Sequence, residues 1–434
     1  QLSSGTLLRH IDSVVRLLIK LIFPMPIGGV DRSIIGKGVS KMKMGCGRSL
    51  HHWLVLGFLG LVPLQGLADG DLKMGLVAPL SGPSASLGMG MREGIEARFA
   101  EANAAGGIHG RQLQLLSRDD QYEPLQAAPE TRRLIEEDGV LASIGNVGTP
   151  TAIVTIPLHL HHQTLLFGAF TGAGGLRLDP PDRYVINYRA SYVQETAAMI
   201  DGLLQAGIAP EEIAFFTQND GYGDAGYNGG IRALKARGVT DAERLAHGRY
   251  TRNTRNIHQG LASILQAPVM PKAIIIVGTY GPAADFIKEA RKDLPNALFL
   301  NVSFVGSQAL ADELGEMAEG VIVTQVVPPP DADLPAVQAY RHALSRYGGG
   351  AEPNFISLEG YLAASLFVKG LEAAGENPDR ASVVDALLRL GEVDLGLGEP
   401  LSLAPDDHQA SDAVWPTRIR QGQFELLDWS SLLP

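Results

Sequence analysis

Ser84, Thr149, Thr171, Tyr222, Tyr280 and Ser303 each stand in a turn that follows an apolar run. A hydroxyl both donates and accepts hydrogen bonds, so a convergent set can hold a small polar solute. Turns at the carboxyl ends of strands are also where open α/β sheets take ligands. Singly, each of these residues is more often an ordinary turn residue; their repeated position at strand ends favours binding. Asp119 and Asp120 are paired carboxylates after another such run. A pair of this kind can serve acid–base chemistry. With no partner motif, capping a helix or fixing a loop through backbone N–H groups is the better reading. His159, His161 and His162 have the look of a metal cluster. Only His159 and His162 share a helical face, and no carboxylate or further histidine is near in sequence, so a polar helix end is preferred to a zinc site. Gly82, Gly88 and Gly90 lack the G-x-G-x-x-G spacing of a dinucleotide loop. The sequence contains no G-x-S-x-G elbow, P-loop or H-E-x-x-H helix. It therefore gives no warrant for catalysis, and neither a cofactor nor a metal is expected.

The elements that must position these turns alternate between strand and helix. Leu72 to Pro79 reads as a buried strand, and a helix pattern over 88–104 sets Ile95, Phe99 and Ala102 on one face. Strands over 112–118, 140–144 and 164–167 alternate with helices over 124–137 and 151–160. The pattern restarts after Tyr188: a helix over 192–206, a strand over 213–217, a helix ending at Gly238 and another near 254–266. Strands follow over 273–277, 298–302 and 320–327. Pro328-Pro329-Pro330 is a stiff extended connector. Helices over 333–347 and 355–374, then a hairpin-like alternation from Val414 to Trp429 around Gly422, complete the chain. Repeated βα units imply parallel sheets covered by helices on both faces. The fold class is α/β, in two similar lobes.

The chain has 434 residues, 45% of them hydrophobic, which suits two domains. Its net charge of -11 argues against general nucleic-acid binding, which needs a basic face. Lys41, Lys43 and Arg48 precede an apolar run from Trp53 to Leu64, and Gly66-Leu67-Ala68 supplies small residues before a cleavage point. That order is a secretory signal peptide, placed at 42–68. The run is short and broken by Pro63, which disfavours a membrane anchor. The single cysteine, Cys46, lies upstream of the cut, so disulfides, thiol catalysis and cysteine-held metals are not expected of the mature chain. Residues 1–41 are expected to be an over-extended reading frame or a disordered leader.

Several motifs occur in a telling order: Gly75-Leu76-Val77-Ala78-Pro79-Leu80-Ser81-Gly82-Pro83, Asn103 to Gly110, Asp119-Asp120-Gln121-Tyr122-Glu123-Pro124, Phe167 to Ala173, Asp220-Gly221-Tyr222-Gly223 and Glu359-Gly360-Tyr361. In them the chain resembles the extracytoplasmic solute-binding proteins of branched-chain amino acid ABC transporters, the leucine/isoleucine/valine-binding type. The resemblance runs from about Asp71 to the carboxyl terminus. It implies a type I periplasmic binding fold, two Rossmann-like lobes with parallel sheets joined by a three-strand hinge. The lobes would be 71–188 with 326–398 and 189–325 with 399–434. It implies a soluble, periplasmic monomer that closes on a small-molecule ligand and presents it to an inner-membrane ABC permease, with no nucleic-acid partner and no enzymatic activity.

The resemblance also implies site residues. Thr149 would hold a ligand carboxylate, with Ala169 and Thr171 adding backbone and hydroxyl contacts and Ser84 in the first strand's turn. Tyr222 would close from the second lobe, and Tyr280 would be a second tyrosine there. Two positions depart from the family pattern. Leu87 stands where an aromatic is expected, and Ser303 falls near the place of the glutamate that pairs with a ligand ammonium. A serine cannot neutralise a buried ammonium. Either another acid, Asp220 or Glu195, supplies the charge, or the ligand is not a typical α-amino acid. An amino acid of the branched-chain type is the first expectation. An aromatic acid, amide or urea-like ligand, or a ligand-sensing receptor role, is the alternative.

Overall fold

The computed structural model describes residues 70–432. The expected leader, the signal peptide and Cys46 lie outside the described residues. The first strand, β1 (Leu72–Ala78), is buried at every position except Lys73. Such a run is what a parallel strand covered on both faces requires. It is followed by α1 (Ala85–Ala104), β2 (Leu113–Asp119), α2 (Pro124–Glu136), β3 (Ala142–Ile144), α3 (Thr149–His161), β4 (Leu165–Phe167) and β5 (Val185–Ile186). These strands form one parallel sheet in the order β2-β1-β3-β4-β5.

A second run holds α4 (Tyr192–Gln205), β6 (Ile213–Gln218), α5 (Gly221–Ala236), β7 (His247–Tyr250) and α6 (His258–Leu265). It continues through β8 (Ala273–Val277), α7 (Tyr280–Asp293), β9 (Leu298–Asn301), α8 (Ser307–Leu314) and β10 (Ile322–Gln325). After it come α9 (Pro335–Tyr347), α10 (Phe355–Ala374) and α11 (Arg380–Leu388). A small hairpin of β11 (Gly391–Val393) and β12 (Leu401–Leu403) precedes the terminal hairpin, β13 (Trp415–Arg420) and β14 (Gln423–Leu426). The second sheet runs β14-β13-β10-β9-β8-β6-β7, parallel from β10 to β7. The terminal hairpin adds an antiparallel edge through β13. The molecule is thus α/β, with a wholly parallel five-stranded sheet and a seven-stranded sheet that is parallel apart from its terminal hairpin.

Both sheets share a winding. β1 lies between β2 and β3, and β6 between β7 and β8, with later strands extending one side only. Each sheet therefore has a switch point, at the ends of β1 and β3 in the first and of β6 and β8 in the second.

The expected elements correspond closely, with informative shifts. Helix α1 starts three residues before the expected 88, because Gly88 is a packing residue and not a turn residue. A Cβ there would collide with the Pro79 carbonyl, and one at Gly94 with the Ser357 carbonyl of α10, so the glycines let α1 lie directly on its neighbours. Helix α3 starts at Thr149, not 151, with Pro150 in its first turn, where a missing N–H goes unneeded. Helix α6 starts later than expected, at His258. The strands β5, β7, β11 and β12 and the helices α8 and α11 carry too short or too mixed a pattern to stand out in the sequence.

Candidate functional site

In an open α/β sheet, the crevice beyond the strand ends at a switch point is where ligands bind. Ser84 and Thr149 follow β1 and β3; Tyr222 and Tyr280 follow β6 and β8. Thr171 and Ser303 follow the next strand of each sheet, β4 and β9. The sequence-expected residues therefore sit at both switch points and on the loops beside them.

Thr149 and Thr171 are the tightest pair. Their Oγ1 atoms are 2.6 Å apart, and both residues are buried. The Thr171 N–H donates to the Ala169 carbonyl at 2.7 Å, which folds the β4 loop back on itself. Gly148, just before α3, has φ 109, and a Cβ there would strike the Tyr122 ring. Only glycine allows the start of α3 to approach Tyr122 so closely. Ser84 Oγ reaches Asn253 Oδ1 at 3.5 Å, and Leu87 and Tyr280 both lie against Gly306.

An aromatic cluster fills the space between the two sets of loops. Phe304, next to Ser303, lies 4.7 Å from the Tyr222 ring centroid, 5.1 Å from Phe170 and 6.0 Å from Tyr122. Tyr222 also lies 5.4 Å from Tyr192, and its hydroxyl donates to the Gly278 carbonyl at 3.2 Å. Phe304 thus touches rings from both sheets. A cavity of about 760 Å³ lies elsewhere, along 397–415, and is lined by none of the expected site residues.

Charge is concentrated beneath this cluster. The Ser303 N–H donates to Glu195 Oε2 at 2.7 Å and its hydroxyl to Oε1 at 3.0 Å. Thr324 Oγ1 donates to Oε2 at 2.6 Å, and Arg189 Nη2 reaches Oε1 at 3.2 Å and also contacts Ser303 Oγ. Asp220 is equally engaged. Its Oδ1 accepts the Tyr222 N–H at 3.0 Å; its Oδ2 accepts Gln218 Nε2 at 2.8 Å and Arg252 Nη1 at 2.9 Å. Both acids that could have replaced the missing glutamate are therefore occupied by protein donors.

Arg189 is fully buried, with its guanidinium 4.9 Å from the Phe170 ring and 5.9 Å from Tyr192. Its Nη1 faces Glu359 Oε1 at 3.6 Å, an attraction without a hydrogen bond. Arg189 Nε and Nη1, Glu359 Oε1 and the Tyr192 hydroxyl have no hydrogen-bond partner. Burial pushes the Glu359 carboxyl up to about 7; Arg189 opposes the shift and Glu195 adds to it. Burial also works against the Arg189 charge, but Glu359 and Glu195 outweigh it and hold the guanidinium above its usual value.

The other candidate clusters are structural. Asp119 Oδ1 accepts the N–H groups of Leu80 at 2.8 Å and Gln121 at 2.9 Å, and Asp120 Oδ1 accepts that of Tyr122 at 2.8 Å. His159 has both ring nitrogens engaged, by the Thr155 carbonyl and by Ser143 Oγ, each at 2.9 Å. Among the described residues, no group of three or more His, Cys, Asp or Glu converges as a metal site. Phe304, Tyr122, Phe170, Tyr192, Arg189 and Glu359 were not among the residues expected from sequence. For Arg189 and Glu359 a signal existed: each is a lone charge next to or within an apolar run.

Fold and site geometry together define an α/β protein of two doubly wound sheets whose strand-end loops, carrying hydroxyls and aromatic rings, face one another. The chain belongs to the periplasmic binding protein family, whose model matches residues 71–423. It is similar to Leu/Ile/Val-binding protein homolog 2 of Brucella abortus (strain 2308), 26% identical over 348 residues, covering 78% of this chain and 88% of the relative. It is also similar to an amino acid binding protein of Pseudomonas aeruginosa, 24% identical over 331 residues, covering 75% and 84%. Its fold matches the crystal structure of a possible leucine/isoleucine/valine-binding protein from Rhodopirellula baltica SH 1 with a TM-score of 0.82 and 47% identity, covering 86% of this chain and 100% of that one. An ABC transporter solute-binding protein from R. palustris, solved with 4-hydroxybenzoate, shares the fold at a TM-score of 0.70 and 19% identity, covering 82% and 96%. The family binds small molecules and is not enzymatic. No helix of the described residues is long and apolar enough to cross a membrane.

Proposed function

We propose that this protein is the extracytoplasmic solute-binding component of an ABC importer. It takes a small carboxylate-bearing solute, an amino acid of the branched-chain type, between lobes formed by 71–188 with 326–398 and 189–325 with 399–434. The observation that carries the reading is the buried Thr149–Thr171 hydroxyl pair at the start of α3. When one hydroxyl donates to the other, the second retains a free O–H. That donor and the unpaired N–H groups of the first helical turn suit a carboxylate. Binding of both lobes by one ligand would shift the population toward the closed form. The protein would be exported to the periplasm, act as a monomer and deliver its ligand to a permease. The names of the relatives support the amino acid.

A second reading, a carboxylate without an ammonium, such as an aromatic acid, is favoured by one observation. Glu195 and Asp220 are both saturated by protein donors, so neither is left for an ammonium. The test is thermal unfolding of the protein, after denaturing and refolding to strip carried-over ligand, against amino acids, aromatic acids, amides and urea. A ligand at 100 times its Kd adds about 2.7 kcal/mol, a shift of a few degrees. A rise with leucine, isoleucine or valine supports the first reading. A rise only with acids lacking the ammonium, or with amides, supports the second. No rise with any of them overturns both.

A further inference from the structure

The loop after β7 carries Arg252 and Asn253 across to the loop after β2. Arg252 Nη2 pairs with Glu123 Oε2 at 2.9 Å, while its Nη1 holds Asp220 Oδ2 at 2.9 Å. Asn253 Nδ2 donates to Glu123 Oε1 at 2.7 Å and to the Gln121 carbonyl at 3.1 Å. Deeper in, Gln218 Nε2 donates to the Tyr122 hydroxyl at 3.3 Å. Gln121, Tyr122 and Glu123 hang from the first sheet; Gln218, Asp220, Arg252 and Asn253 hang from the second. Glu123 is thus gripped by two side chains of the opposite lobe.

The backbone on both sides is held in an unusual shape for this contact. Gln121, Tyr122 and Asn253 have φ of 51°, 62° and 57°, in the left-handed region that a bulky tyrosine rarely adopts. Non-glycine residues persist there only where their surroundings over-determine them, and they gather at functional sites. Here Asp119 and Asp120 clamp the N–H groups of Gln121 and Tyr122 from within their own lobe. The strained turn is therefore held by bonds of its own lobe as well as by those that cross to the second.

We infer that Glu123, Arg252 and Asn253 form an electrostatic latch that holds the two lobes together at the cleft mouth without help from a ligand. The contact meets the expected ligand residues at two points, the long Ser84–Asn253 approach and Asp220, whose other oxygen accepts the Tyr222 N–H. Arg252 is a two-position element. On opening it gives up Glu123 but keeps Asp220, which belongs to its own lobe, so its charge is never left unpaired. Its side chain is 22% exposed and that of Glu123 is 36%, so salt reaches the pair and screens it. The latch rests on the reading of a cleft that closes.

The test is the radius of gyration, by small-angle X-ray scattering, of the refolded, ligand-free protein and of R252Q, E123Q and N253D at low and at molar salt. Urea midpoints confirm that each variant is folded. N253D sets a second carboxylate against Glu123, and R252K, which keeps charge but not the fork, serves if R252Q fails to fold. The expected result is a compact wild type that expands in high salt, with variants already expanded at low salt and losing the salt dependence. A ligand-free wild type that is already expanded, and that compacts with a solute that raises its melting temperature, overturns the latch and leaves hinge closure standing. Variants as compact as the wild type overturn the latch too. If no solute of the panel changes the compactness of any of them, hinge closure falls with it.

Discussion

Ser303 and Glu195 are joined twice, by the Ser303 N–H to Oε2 at 2.7 Å and by its hydroxyl to Oε1 at 3.0 Å. With Thr324 and Arg189 also bound, the carboxylate serves as the buried counter-ion of Arg189. A residue standing where relatives of the resembled type are expected to carry an acid has instead become a donor to an acid of the protein itself. Glu195→Ala would strip Arg189 of its hydrogen-bonded counter-ion and leave Glu359, at 3.6 Å, as its acid partner, with Ser303 Oγ a neutral contact. Breaking a buried ion pair by removing one member costs about 3–5 kcal/mol. Urea denaturation of the wild type and Glu195→Ala should show that loss. An unchanged midpoint would remove the pair from the stability of the fold.

Thr149→Ala removes one of two buried hydroxyls and leaves Thr171 without its partner. If the pair holds a ligand carboxylate, the loss is that of a hydrogen bond to a charged group, about 1.5–3 kcal/mol. That corresponds to a Kd raised on the order of ten- to a hundred-fold. Thr149→Ser, which keeps the hydroxyl, should bind nearly as the wild type does. Titration calorimetry with the solute that raises the melting temperature most is the measurement. Equal affinity for Thr149→Ala and the wild type takes Thr149 out of the site.

The same residues show how far a sequence can be read. The strand 273–277 and the helix 355–374 were legible to the residue, because long apolar runs bounded by turn residues have few alternative structures. The hydroxyl residues were legible because a βα alternation fixes which turns lie at strand carboxyl ends. Phe304 was not, because nothing local distinguishes a phenylalanine packed between two sheets from one inside a single core; only contacts with Phe170 and Tyr122, well over a hundred residues earlier, set it apart. The Arg252–Glu123 pair was hidden for the same reason. Its partners lie on different sheets, and charged loop residues are ordinarily solvated.

Tyr222→Ala and Phe304→Ala should separate stability from closure. Phe304 is buried against Tyr222, Phe170 and Tyr122, so its truncation opens a cavity and costs about 3–5 kcal/mol. Tyr222 is the second lobe's share of the same contact and lies at its switch point. Tyr222→Ala should therefore also speed ligand dissociation, since closure loses a ring–ring contact. Stopped-flow dissociation alongside urea denaturation distinguishes the two effects. If Tyr222→Ala changes neither affinity nor dissociation rate, the assignment of Tyr222 to the cleft is wrong.

His159 gives a pH dependence of definite sign. Burial lowers its pKa to about 4; the Thr155 carbonyl opposes the shift, and the nearby Arg380 guanidinium and His162 add to it. A depressed histidine pKa means that the folded state prefers the neutral ring. Its contribution is complete above the unfolded value of about 6.5 and is lost as pH falls through 4. The shift corresponds to roughly 3 kcal/mol. Asp120 and Glu359, both raised to about 7 by burial, run the other way: their contribution is complete in acid and is lost as pH rises through 7. The wild-type curve is thus a sum of opposing slopes, and only a difference isolates the histidine. His159→Gln should be less stable than the wild type at pH 7, where the bonds to Thr155 and Ser143 are intact. The gap should shrink by most of that amount as pH falls to 4, because the variant has no ring to protonate. Urea midpoints of both proteins across this range measure it, and a gap that stays constant would show that His159 does not titrate with folding.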